Sequence, residues 1–164
     1  MQSDKYIYFV SNNIGGLNSI IPIIKYFEEK KIKILIIINS KNIKFIKQFK
    51  SNKILIKKSI TFSQIKKIFS IYQPHFVFAS TTYPKDREIG DIENRFIYLA
   101  NLSNLKTYVF MDHWCGYNER FYSLINNKRK FILPSKIFVS DIKSKNELSK
   151  SINYNKRNII VSGN

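Results

Sequence analysis

The sequence predicts an α/β fold: a doubly wound, mostly parallel sheet of strand order 3-2-1-4-5-6-7 with helices on both faces. Two observations carry this. Seven short apolar runs alternate with segments of helical periodicity along the whole chain, the pattern of a parallel sheet covered on both sides. The run at 32–38 is almost continuously apolar, as a strand buried on both faces requires. Right-handed crossovers then fix the doubly wound topology. The chain shows no internal repeat, low-complexity tract or linker, and its 164 residues fit one domain with a sizeable core.

Each element has its own warrant. Residues 5–10 read as the first strand. Leu17, Ile20, Ile21, Ile24 and Phe27 recur at helical spacing, with Ser19 a fair N-cap and Pro22 tolerated in a first turn. After the strand at 32–38, Ile43, Ile46 and Phe49 suggest a short helix, and 53–56 a short strand. Thr61 and Gln64 form a capping box for a helix that turns Phe62, Ile65, Ile68, Phe69 and Tyr72 inward. A strand at 75–79 follows, with His75 a structural residue at its start. Asp91 is placed to cap a helix bearing Ile92, Phe96, Leu99 and Leu102. Residues 106–111 are a fifth strand, and 136–140 and 158–161 two more, with a helix at about 141–150 between them. The charge run Lys128-Arg129-Lys130 reads as a solvated loop.

Composition narrows the function classes. Hydrophobic residues make up 44% and aromatics 15% of the chain, which excludes a disordered protein. No uncharged apolar run approaches the length of a spanning helix, and the N-terminus shows no signal-peptide pattern. A single cysteine excludes an internal disulfide framework and points to a cytoplasmic home, with peripheral attachment to the inner face of the membrane as an added expectation. With two histidines and one cysteine, no metal site and no cofactor are expected. The net charge is +17, but only five of the 28 basic residues are Arg. Base reading and phosphate forks favour Arg, so the balance argues against nucleic acid and towards an anionic membrane surface or a phosphorylated sugar lipid.

Chemistry concentrates where strands end. In open α/β sheets, ligands bind outside the carboxyl ends of the strands. The fifth strand runs into Asp112-His113-Trp114-Cys115-Gly116-Tyr117-Asn118-Glu119-Arg120-Phe121, a mixture no turn needs. Asp112 is nearest the strand end. His113 is either a general base, since imidazole titrates near neutrality, or an ordinary loop residue. Trp114 is either a platform for a sugar ring or, the favoured reading, a core anchor. Arg120 either holds a carboxylate or phosphate or pairs with Asp112 or Glu119; Asn118 joins it as a substrate-binding candidate. Cys115 lacks an activating partner in the sequence. Ahead of the first helix, Asn13, Gly15 and Gly16 form either a tight turn or a ligand-binding one. After the fourth strand, Thr81 offers a hydroxyl, and Glu93 either faces the crevice or merely suits the helix dipole.

Taken in order, these features resemble the N-terminal Rossmann-like half of GT-B glycosyltransferases and the related UDP-N-acetylglucosamine 2-epimerases. Four segments carry the likeness: the Gly15-Gly16 turn into LNSIIPIIKYFEEKK; STTYPKDREIGDIENRFIYLA after the fourth strand; DHWCGYNERF, similar to a D-x-W-x-N-Y-x-x-R-F loop of some bacterial members; and LPSKIFVSDIKSKNEL followed by NIIVSGN, similar to the last strand-helix-strand before an interdomain linker. The resemblance implies that residues 1–164 form one Rossmann-like domain, the acceptor-side half of a sugar transferase for surface polysaccharide or glycolipid. Its partners would be a sugar or glycolipid acceptor and a C-terminal donor-binding domain or subunit, without which the chain is expected to be inactive. It implies Asp112, His113 and Glu93 as catalytic candidates. The Gly-Gly turn lacks the following His of the peptidoglycan N-acetylglucosaminyl transferase. The alternative is a non-enzymatic α/β interaction module or an inactive remnant of such an enzyme.

Overall fold

In the computed structural model, residues 5–50, 53–83, 91–126 and 128–163 are described. Seven parallel strands form the main sheet: β1 (Tyr6–Ser11), β2 (Ile34–Asn39), β3 (Ile54–Lys57), β4 (Pro74–Ala79), β5 (Lys106–Met111), β8 (Lys136–Val139) and β9 (Ile159–Val161). Their order is β3-β2-β1-β4-β5-β8-β9. The two remaining strands, β6 (Tyr122–Ile125) and β7 (Lys128–Phe131), pair only with each other, antiparallel. With that hairpin set aside, the main sheet has the expected order and the Rossmann-like α/β topology.

β1 is the central strand. It pairs with β2 from Ile7↔Ile34 to Ser11↔Ile38 and with β4 on its other edge. Alternate residues feed two cores. On one face Ile7 and Phe9 pack with Leu17, Ile20 and Ile24 of α1 (Ile14–Glu29). On the other, Tyr8 and Val10 share one continuous core with residues of α2 (Phe62–Ile71), α3 (Ile92–Leu102), the hairpin and α4 (Ile142–Ser151). β2 is buried at all six positions, which is why its sequence shows no alternation.

Six local expectations need correction. The N-cap of α1 is Asn13, not Ser19; the Asn13 side chain accepts from the Gly16 amide at 2.7 Å. Pro22 therefore lies well inside the helix, where it removes one backbone hydrogen bond. The segment of Ile43 and Ile46 forms a 3-10 helix, Ser40–Gln48, rather than an α-helix. Ile43 is exposed and only Asn42 is buried in that segment, so no wide apolar stripe favours the α period. Leu102 and His75 lie at the surface. Lys128-Arg129-Lys130 is the solvated strand β7 and not a loop. The hairpin escapes notice because Tyr122 and Leu124 on the outer side of β6 are as apolar as Ile125 on the inner side.

The capping box at Thr61 forms as expected. At the other end of α2, the buried Tyr8 hydroxyl donates towards the carbonyls of Tyr72 (2.7 Å) and Ile68 (3.2 Å). The bond to Tyr72 ties the central strand to the C-cap of α2, where the last carbonyls run out of helical partners; the Ile68 carbonyl also accepts from the Tyr72 amide at 2.9 Å. Replacing Tyr8 with Phe keeps the ring and takes the hydroxyl away from the Tyr72 carbonyl. Urea denaturation should show a loss of about 1–3 kcal/mol, and an unchanged midpoint would show that α2 is capped by other means.

Candidate functional site

Three strand ends and one helix N-terminus converge at the carboxyl rim of the sheet. The Asn13 backbone is extended and opens α1 directly after β1. Gly16 is in close contact with the chain after β4: a Cβ built there would lie 2.5 Å from Ser80 Oγ. A Cβ on Gly15 would lie 3.3 Å from Asp112 Oδ2, at the end of β5. The glycines thus serve backbone approach, as a site-forming turn would need. The carboxylate they approach is the protein's own, so Asp112 already occupies the electropositive end of α1.

Beneath this turn lies a buried carboxyl. Glu93, in the first turn of α3, is 3% exposed. Its Oε1 accepts from the Asn12 amide at 3.1 Å and contacts Ser80 Oγ closely. Ser80 Oγ is also 2.9 Å from Ser11 Oγ, and the Ser11 hydroxyl reaches the Asn13 carbonyl at 3.0 Å. Asn12 extends the network: Asn39 Nδ2 donates to its Oδ1 (2.9 Å) and Asn42 Nδ2 to its carbonyl (3.2 Å). Burial pushes the Glu93 carboxyl up to about 7, while hydrogen bonds from Ser80, Thr82 and the Asn12 backbone pull against that rise.

A charged pair links the loop after β5 to the end of that strand. Arg120 is 3% exposed and spends its donors on Cys115 O (2.9 Å), Thr81 Oγ1 (2.9 Å) and Thr81 O (3.4 Å). Asp112 Oδ1 stands 3.7 Å from Arg120 Nη1, an ion pair wider than a hydrogen bond. That oxygen has no hydrogen-bond donor among the described residues. The Arg120 guanidinium lies over the Tyr83 ring at 5.8 Å. Gly116 has a left-handed φ of +63°, and a Cβ there would sit 2.2 Å from that ring. Only glycine meets both conditions.

Two side chains staple the loop after β5 to α4. Trp114 Nε1 donates to Asp141 Oδ2 at 3.0 Å, and Tyr117 OH to Glu147 Oε2 at 3.1 Å. Asp141 is also the N-cap of α4, accepting from the Ser144 amide at 2.7 Å. That amide, with further donors including the indole, holds its carboxyl below the ordinary value. The indole ring itself is 70% exposed.

The structure gathers Asn13, Gly15, Gly16, Thr81, Asp112 and Arg120 into one contiguous cluster. His113, Trp114 and Asn118 lie on its exposed side. Two expectations change. Trp114 is not a core anchor, because its one fixed point is a hydrogen bond at the surface. Glu93 is buried under the turn rather than open to the crevice. Sequence reasoning placed Ser11, Asn12 and Ser80 within the two candidate turns but gave them no role, and it missed Asn39 and Asn42. The available signal was that the apolar strands β1, β2 and β4 each run into a buried polar residue. No sequence signal joined Tyr83 to Gly116. The part of the Thr81-to-Glu93 segment at 84–90 lies outside the described residues. Among the described residues no group of three His, Cys, Asp or Glu is arranged to hold a metal, and no helix is long and apolar enough to cross a membrane. Neither the protein-family models nor the curated proteins give a match to this sequence.

Two outcomes follow from this geometry. The native state holds the Glu93 proton more tightly than the unfolded chain, where the carboxyl has its ordinary value of 4.5. The stability it contributes is therefore full below about pH 4.5, falls as pH rises to about 7, and is level above that. Glu93→Gln should abolish the decline, which is at most about 3 kcal/mol in denaturant titrations on either side of the window; a parallel decline in the variant would place the titrating group elsewhere. Gly16→Ala should cost about 1–3 kcal/mol through the clash with Ser80, read as a lowered thermal midpoint.

Proposed function

We propose that the carboxyl rim binds the acceptor of a glycosyl transfer, and that this Rossmann-like domain is the acceptor-side half of a GT-B type transferase. The observation that carries the reading is Trp114: a mostly exposed indole, held by its own N–H on Asp141, beside the buried Asp112–Arg120 pair. An exposed ring fixed at one edge suits the apolar face of a sugar. An acceptor hydroxyl would give its proton to Asp112 or His113 and bond to the anomeric carbon of a nucleotide sugar as the anomeric C–O bond to phosphate breaks and the nucleotide leaves with that electron pair. In this reading a separate donor-binding half supplies that nucleotide sugar, and the acceptor is a sugar or glycolipid of surface polysaccharide synthesis.

A second reading has its own support. Glu93 and Arg120 are both engaged by the protein's own groups, as in a scaffold that binds without chemistry. The two readings separate by turnover. Trp114 is the only tryptophan in the chain, so its emission reports the rim alone. Titrating mono- and oligosaccharides should shift that emission, and nucleotide sugars alone should give no turnover. No shift with any sugar would end the acceptor reading. With a donor half supplied, His113→Ala or Asp112→Asn should lower turnover about 10²–10⁴-fold with circular dichroism unchanged; sugar binding with no turnover in any reconstitution would favour the binding module.

A further inference from the structure

The sheet has a second rim, and its chemistry is opposite. Every strand of the main sheet except β4 starts on, or within two residues of, a cation. In sheet order these are Lys53, Lys33, Lys5, then Lys106, Lys136 and Arg157, and all are exposed. Neighbouring strands are about 4.8 Å apart, so the parallel topology lines these charges up along one end of the molecule. The acids lie elsewhere: Asp91, Glu93, Asp112, Glu119 and Asp141 all follow the carboxyl ends of strands. Of the described acids, Glu28 and Glu29, near the end of α1, oppose the row at the cationic end.

One part of this rim is concave. A groove of about 320 Å³ is lined by Lys31, Lys33, Lys50 and Lys53, with Tyr6 and Glu28. Apolar tips stand among the cations. Ile32 precedes β2, and Ile71 and Leu102 are the last residues of α2 and α3; all three are exposed. Helices antiparallel to the strands deliver their C-termini to this same end, so the tips and the lysines share it.

We propose that this amino rim docks the domain on an anionic phospholipid bilayer, with lipid phosphates in the four-lysine groove and the aliphatic tips in the headgroup layer. Lysine rows with interspersed apolar side chains are what an anionic interface attracts. Nucleic acid fits less well. The row holds one Arg where forked phosphate contacts favour that residue, and the groove's Tyr6 ring packs edge-on against Tyr72 at 5.4 Å rather than standing free for a base. The proposal does not rest on the reading of the carboxyl rim. It constrains that reading, because a docked domain holds the crevice a strand's length, roughly 20 Å, above the lipid phosphates. The acceptor would then be a soluble sugar or the far end of a lipid-linked chain.

The test is sedimentation of the full chain with phosphatidylcholine vesicles, with and without phosphatidylglycerol, at physiological salt. Binding should require the anionic lipid and weaken with added salt. A groove variant, Lys31→Asn with Lys33, Lys50 and Lys53→Gln, should lose about five-fold in affinity per lysine; Asn suits the left-handed φ of 54° at position 31. A control with the same charge change, Lys66, Lys67, Lys143 and Lys145→Gln, should lose far less. Equal losses in both variants, or no binding to anionic vesicles, would overturn the proposal. So would a groove variant that weakens binding to a single-stranded oligonucleotide and leaves vesicle binding intact. None of these outcomes touches the Trp114 emission experiment.

Discussion

A buried carboxyl holds the carboxyl rim together. Glu93 takes its hydrogen bonds from neutral donors, Ser80, Thr82 and the Asn12 amide. A carboxyl so placed is tolerated because it can be neutral near physiological pH and because donors converge on it. Those donors come from the ends of β1 and β4, and the Asn12 side chain passes the connection to Asn39 at the end of β2. Three adjacent strands are thus tied at the level where their backbone ladder stops. The close approach of Gly16 to Ser80 completes the arrangement, since any side chain at 16 would displace the hydroxyl that Glu93 needs. The placement of α1 over the sheet and the shape of the turn below Asp112 both follow from it.

Much of the fold was legible because hydrophobic burial on a parallel sheet leaves a coarse, robust trace. The all-apolar β2 and the Thr61 capping box are local signals with one structural meaning each. What failed was finer. Asn13 and Ser19 are both acceptable caps, and only the contact of Gly16 with Ser80, distant in sequence, decides between them. The hairpin between β5 and β8 stands where a crossover helix would be usual, and β6 carries apolar residues outward as well as inward, so period-two patterning is absent.

The candidate site was legible as a rim but not as a wiring diagram. Acid, imidazole, indole and guanidinium after one strand mark a location. Their roles depend on partners such as Thr81 for Arg120 and Asp141 for Trp114, which lie 39 and 27 residues away. Reading Trp114 as an anchor was reasonable from hydrophobicity alone. It fails because the indole N–H finds its acceptor on α4 at the surface, and the ring has no cavity to fill. Reading Glu93 as a crevice group fails for a related reason: position in a first helical turn says nothing of whether the turn above closes over it.

The hydroxyl row under that turn has a direction. Ser80 owns one proton and has two neighbours within reach, Ser11 Oγ and Glu93 Oε1. With Glu93 neutral, the carboxyl proton points to Ser80, the Ser80 proton to Ser11, and the Ser11 proton to the Asn13 carbonyl. With Glu93 ionised, Ser80 must turn to the carboxylate, and Ser11 is left to choose between Ser80 and Asn13. Loss of a single proton in the interior therefore reverses the Ser80–Glu93 hydrogen bond and frees the Ser11 oxygen from the Ser80 donor, one bond from the residue that caps α1. The mouth of the crevice carries, in the orientation of two serines, a record of the charge beneath it.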